Sequence, residues 1–158
     1  MTAPARQHSS DEREEISLND AATHVLEECH TVVPGMQALF GFQLIAVFSQ
    51  GFDRQLSSIE KLVHLGAIML VTIAIALVMA PAALHRQTEP RSVSKRFITI
   101  SSRLLMASMA PLAVGICLDV YLVARVIAGS QRVAGIIAAL LLAVFVAVWF
   151  ILPKVLRR

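Results

Sequence analysis

Polar and apolar positions alternate along this chain on two scales. Near the start, Leu18, Ala21, Ala22, Val25, Leu26 and Cys29 recur at spacings of three and four, which predicts an amphipathic helix over 17–33. Ser17, with Asp20 three residues on, forms a variant of the capping box at its start. Pro34-Gly35 then breaks or bends the chain, and Pro34 suits the first turn of a new helix. Four apolar runs follow, at about 34–52, 61–84, 98–128 and 133–153, each of a length that roughly crosses a hydrocarbon core of about 30 Å. Gln37, Gln43, Ser49 and Gln50 interrupt the first. Gln43 and Gln50 are seven apart and share a helical face, which points towards protein rather than lipid. Pro81 kinks the end of the second run. Pro111 and Gly115 in the third predict a kink or a close helix contact. In the fourth, Gly135, Ala139, Ala143 and Ala147 recur every four residues, a ladder of small side chains suited to helix packing. The fold class is therefore all-α: a polytopic membrane protein with four transmembrane helices preceded by an amphipathic helix. Residues 1–16 are too polar to offset ordering entropy and read as a disordered tail; 154–158 form a short basic tail.

Composition sharpens this. Of the 158 residues, 56 % are hydrophobic and 16 % charged, and mean hydropathy is +0.69. A soluble domain carries about 25 % charged residues, so the totals argue against a soluble enzyme. Seven of the eleven acids lie in the first thirty residues, and the net charge is +3. A cleavable secretory signal starts basic and turns apolar at once; this N-terminus is acidic and polar, and no cleavage is expected. The bases flank apolar runs, where they act as topology signals, and no nucleic-acid partner is expected. With both ends inside, the cytoplasmic segments hold Arg6, Arg13, Arg86, Arg91, Lys95, Arg96, Lys154, Arg157 and Arg158, and Arg103 lies near the same face. The outer connections hold Arg54, Lys61, Arg125 and Arg132. The positive-inside rule favours cytoplasmic N- and C-termini, with Trp149 at the inner interface.

A further pattern is Pro34-Gly35-x-Gln37-x-Leu39-Phe40-x-Phe42, followed by Pro81 with His85-Arg86 and by Trp149-x-x-Leu152-Pro153 before terminal arginines. Over residues 18–158 the chain resembles an uncharacterised family of small bacterial membrane proteins with four spans, some members of which carry a sodium/proton antiporter label. The resemblance implies a bacterial inner-membrane location and supplies no activity.

The sequence holds no phosphate-binding loop, no GxSxG, no HExxH and no paired intramembrane carboxylates. Cys29 and Cys117 have no metal or disulfide spacing. Neither an enzyme nor a cofactor or metal site is expected. Asp119 is the one acid inside a predicted span. An intramembrane carboxylate is costly and marks an ion or proton pathway; the alternative is a structural pair with Arg125 or with a donor on another helix. His64 is either a proton shuttle or an interfacial histidine. Asp119, His64, Gln43 and Gln50 fall towards the same end of the predicted bundle and form the candidate ion or proton site. Arg86, Arg91, Lys95, Arg96 and Arg103 read as contacts to lipid headgroups. Two functions stay open. One is an oligomeric transporter or channel subunit for protons or monovalent cations. The other is a non-transporting scaffold or partner-binding protein. The lipid bilayer is the common partner, and a homo-oligomer is expected in the first.

Overall fold

The structure, a computed structural model, describes residues 18–88 and 94–156. The expected tail over 1–16, the Ser17 cap, Arg91 and 157–158 lie outside the described residues. Helix α1 spans Leu18–Val47, α2 Gln50–Gln55, α3 Ser58–Thr88, α4 Lys95–Ala128 and α5 Gln131–Val146. The chain then widens to a π-helical turn over Ala147–Ile151 and ends in α6, Leu152–Leu156. Pro153 lies just beyond the widened turn; its missing N–H breaks the normal ladder, and the Leu152 N–H reaches back five residues to the Ala147 carbonyl. Four helical stretches are long and apolar enough to cross a membrane. Phe42, Phe48, Ile127 and Leu140 are among the many large apolar side chains on the outside, a surface suited to lipid rather than water. The protein is an all-α membrane protein.

The amphipathic segment and the first apolar run are one continuous helix. Pro34 lies inside α1 without ending it. A single stripe explains this: Ala22, Cys29, Met36 and Gln43 are all buried, and each is seven residues from the next. The apolar face before Pro34 thus stays in register with the face after it, and packing on α3 and α4 outweighs the one helical hydrogen bond that the proline removes. Pro81 and Pro111 likewise sit inside unbroken α3 and α4.

The heart of the bundle is the antiparallel α3–α4 pair. Along α3 the buried positions are Glu60, His64, Ala67, Val71, Ala74, Val78 and Pro81, spaced alternately by four and three. Such a seam keeps one face on a partner helix over its whole length. On α4 the matching stripe is Ser101, Ser108, Gly115 and Leu122. Small residues dominate the α4 side, and Ala67 and Ala74 add two on α3, so the backbones approach closely. At Gly115 a β-carbon would lie 3.0 Å from Val71 Cγ2 and 3.3 Å from the Ala67 carbonyl oxygen. The close contact expected at Gly115 is therefore with α3.

Helix α5 turns back along α4. The turn needs Gly129, whose φ of 63° is left-handed, and Ser130, whose hydroxyl accepts from the Val133 N–H. A β-carbon at Gly129 costs about 1–2 kcal/mol in that conformation. Gly129→Ala is expected to lower stability by about 1 kcal/mol, measured by thermal unfolding in detergent. The buried contact of α5 is Ala134. Ala139, Ala143 and Ala147 are exposed, and nothing lies within 4 Å of a β-carbon built at Gly135. Three rungs of the ladder are thus exposed, although Ala139 also borders a crevice with Val63, Cys117 and Tyr121.

Candidate functional site

Three helices bring one polar cluster together. The heptad stripe of α1 ends on Gln43, the N-terminal part of α3 carries His64, and α4 carries Asp119. The Gln43 amide Nε2 donates to Asp119 Oδ2 at 2.6 Å. His64 Nε2 lies 3.0 Å from the Gln43 carbonyl oxygen, and His64 Nδ1 lies 3.4 Å from Asp119 Oδ1. All three residues are largely removed from the surface: relative exposure is 4 % for Gln43 and 7 % for His64, and 19 % for the Asp119 side chain. Counted from the ends of their helices, they sit about 6–14 Å inside the bundle.

A carbonyl oxygen accepts and never donates, so a hydrogen bond from His64 Nε2 to Gln43 places a hydrogen on Nε2 and turns Nδ1 towards Asp119 Oδ1. The imidazole and the carboxyl thus stand close enough for one proton to pass between them. Asp119 Oδ1 and Gln43 Oε1 are buried and make no hydrogen bond.

A cavity of about 410 Å³ opens beside the cluster. Gln43, His64 and Asp119 line it together with apolar side chains that include Leu39, Phe42, Phe52, Leu122, Val123 and Val126, and with Ser49 and Gln55. Helix α2 closes its end. Ser49 caps α2 by accepting from the Phe52 N–H, which places the Phe52 ring edge-on to His64 with centroids 5.3 Å apart. An exposed ion pair, Lys61 to Asp53 at 2.6 Å, ties α3 to α2.

Outside the cluster, Arg125 Nε contacts Glu60 Oε1 at 2.9 Å. Arg125 is thus the partner of Glu60; of the two structural partners expected for Asp119, Arg125 or a donor on another helix, the donor is the one found, Gln43 of α1. Glu60 also starts α3: its Oε2 accepts from the Ser57 N–H and from Ser57 Oγ, both at 2.8 Å. This is a capping box, Ser57-x-x-Glu60. Glu60 did not emerge from the sequence reading, although that four-residue signature was there to find it. Glu60 is one helical turn from His64, so the pair with Arg125 fixes the register of α3 against α4 where the cluster forms.

A family described as "Family of unknown function (DUF6328)" matches residues 11–153. The chain belongs to that family. No curated protein and no solved structure matches it. The DUF6328 segment takes in Gln43, His64 and Asp119 together, so the whole cluster lies in the part shared with the family.

The other expected site residues are placed elsewhere in this DUF6328 chain. Gln50 is exposed on the first turn of α2: α1 ends at Val47, so the seven-residue step from Gln43 no longer lies on one helix. Arg86, Lys95, Arg96 and Arg103 are exposed, the first three at the opposite end of the bundle from the cluster and Arg103 about two turns in from the start of α4. Cys29 and Cys117 are buried and free. Among the described residues no group of three or more His, Cys, Asp or Glu side chains is arranged to hold a metal ion.

Proposed function

We propose that this protein is a proton-exchanging subunit of an oligomeric membrane transporter or channel, with Asp119 and His64 as the exchange site and Gln43 as the group that orients the acid. It acts in a bacterial inner membrane with both termini in the cytoplasm, the orientation favoured by the distribution of its bases, so the cluster lies in the outer half of the bilayer. The observation that carries the reading is the Asp119–His64 contact: it sets two proton-exchanging groups 3.4 Å apart on the wall of a cavity. Among the described residues no arginine neutralises the acid, since Arg125 is taken by Glu60, and the hydrogen bond it accepts comes from the uncharged Gln43 amide. Purified protein in liposomes under an imposed pH gradient is the test. Wild-type protein is expected to pass protons, and Asp119→Asn is not; a wild type that passes none under any gradient overturns the proposal.

A second reading is favoured by a different observation. The exposed Ala139 and Ala143 on α5, with Ala147 at the start of the π-helical turn, form a face that another helix backbone can approach closely, as a scaffold or a self-associating subunit requires. Ala139→Leu with Ala143→Leu is expected to shift the protein to a smaller species in chemical cross-linking and size-exclusion chromatography. Unchanged association would leave that face to lipid.

A further inference from the structure

The cavity beside Asp119 also has a chemistry of its own. Its volume of about 410 Å³ lies within the range of small-molecule pockets, roughly 300–1,000 Å³. Asp119, with Gln43 and His64 beside it, supplies the one carboxylate on the lining, and Ser49 and Gln55 are the other polar side chains there. The rest of the lining is mostly apolar, and Phe42 and Phe52 present two aromatic rings. A bare inorganic cation exchanges its water for a shell of oxygens. Here Asp119 is the one carboxylate on the lining, its Oδ1 is buried and its Oδ2 already accepts from Gln43, so the wall offers little of that shell. A cation that carries its own hydrocarbon coat needs no such shell. It pairs with the carboxylate in a site of low dielectric, lies against aromatic faces and buries its coat against Leu39, Leu122 and Val126. The route in suits it as well. Phe42, Val123 and Ile127 on the cavity rim are strongly exposed on the lateral surface of the helices, so the opening faces the bilayer, where such a molecule dissolves.

We infer that the Asp119 cavity is a binding site for a lipophilic monovalent organic cation that enters from the lipid. The inference rests on the reading of Asp119 as an exchangeable carboxylate and names the ligand class of that site.

Methyltriphenylphosphonium, a cation of this class, and methyltriphenylsilane, its uncharged isostere, are the probes. Equilibrium binding to the full chain in detergent is expected to be saturable for the phosphonium, and weaker by about tenfold or more for the silane, the loss of one short ion pair in a partly buried site. Asp119→Asn is expected to weaken the phosphonium by a similar factor and to leave the silane unchanged. Asp119→Glu, which keeps the charge, retains binding, and so guards against a folding defect in the Asn variant. Val126→Trp fills the cavity at a half-exposed position and is expected to weaken both probes. No saturable phosphonium binding, equal binding of the two probes, or full binding by Asp119→Asn overturns the inference. The two proposals fail separately. Proton flux that depends on Asp119 without phosphonium binding removes the ligand class and leaves the exchange site. Phosphonium binding that depends on Asp119, without proton flux, removes transport and leaves the ligand class.

Discussion

Gly115→Leu is expected to be the most destabilising single substitution in the α3–α4 seam. Even a β-carbon at this position stands 3.0 Å from Val71 Cγ2 and 3.3 Å from the Ala67 carbonyl oxygen. The valine methyl can turn aside. The carbonyl belongs to the α3 backbone, and relieving it means moving one helix away from the other. Overpacking of a tight core costs about 1–3 kcal/mol, which sets the expected loss for Gly115→Ala; Leu adds three carbons with nowhere to go and is expected to exceed about 3 kcal/mol. Gly135→Leu is the control, because nothing lies within 4 Å of a β-carbon there. Thermal unfolding in detergent compares the two. Equal transitions would mean that the seam is looser than described. The same displacement opens the Asp119–His64 contact, since Gly115 is one turn before Asp119 and Ala67 three residues after His64. Gly115→Ala is therefore expected to slow proton flux even where it leaves the protein folded.

The second large effect belongs to Asp119→Asn. Asparagine has the shape of a protonated aspartic acid. Its oxygen accepts from Gln43 Nε2, and its amide donates to the Nδ1 lone pair that the Gln43 carbonyl leaves on His64. The fold is expected to hold, with stability within about 1 kcal/mol of wild type, since hydrogen bonds between helices in a bilayer average about 0.6 kcal/mol. Proton flux is expected to fall by about a hundredfold or more, the range spanned by loss of a positioned acid–base group. His64→Gln leaves the acid and removes the ring that shares its proton; an intermediate flux is expected. An Asp119→Asn variant that conducts like wild type would make the carboxylate structural.

Much of this architecture was legible in the chain. The four apolar runs are long enough that hydropathy alone places them, and helices are the natural way to satisfy their backbone in lipid. The meeting of Asp119, His64 and Gln43 was legible because all three fall near one end of their runs. What was misplaced has local causes. Pro34 reads as a boundary when weighed alone; the buried series Ala22, Cys29, Met36, Gln43 shows packing overriding it. Gln50 extends that series on paper, but the helix stops three residues earlier and the chain turns into α2. The small-residue ladder marks a face able to pack, and periodicity does not say against what; the tight contacts formed instead at Gly115 and Ala134. Glu60 was passed over because an acid just outside an apolar run looks solvated, while Ser57 and Arg125 bury it at the start of α3.

The stripe on α1 sets an order of manufacture. Gln43 and Asp119 are 76 residues apart in the chain, and the ribosome makes the amide long before the acid. Helix α3 is complete by Thr88 and can receive part of the buried face of α1 before α4 is made, but Gln43 and His64 have no carboxylate to meet until α4 follows. Both polar contacts of Asp119, to Gln43 and to His64, therefore wait for the last-made of the three helices.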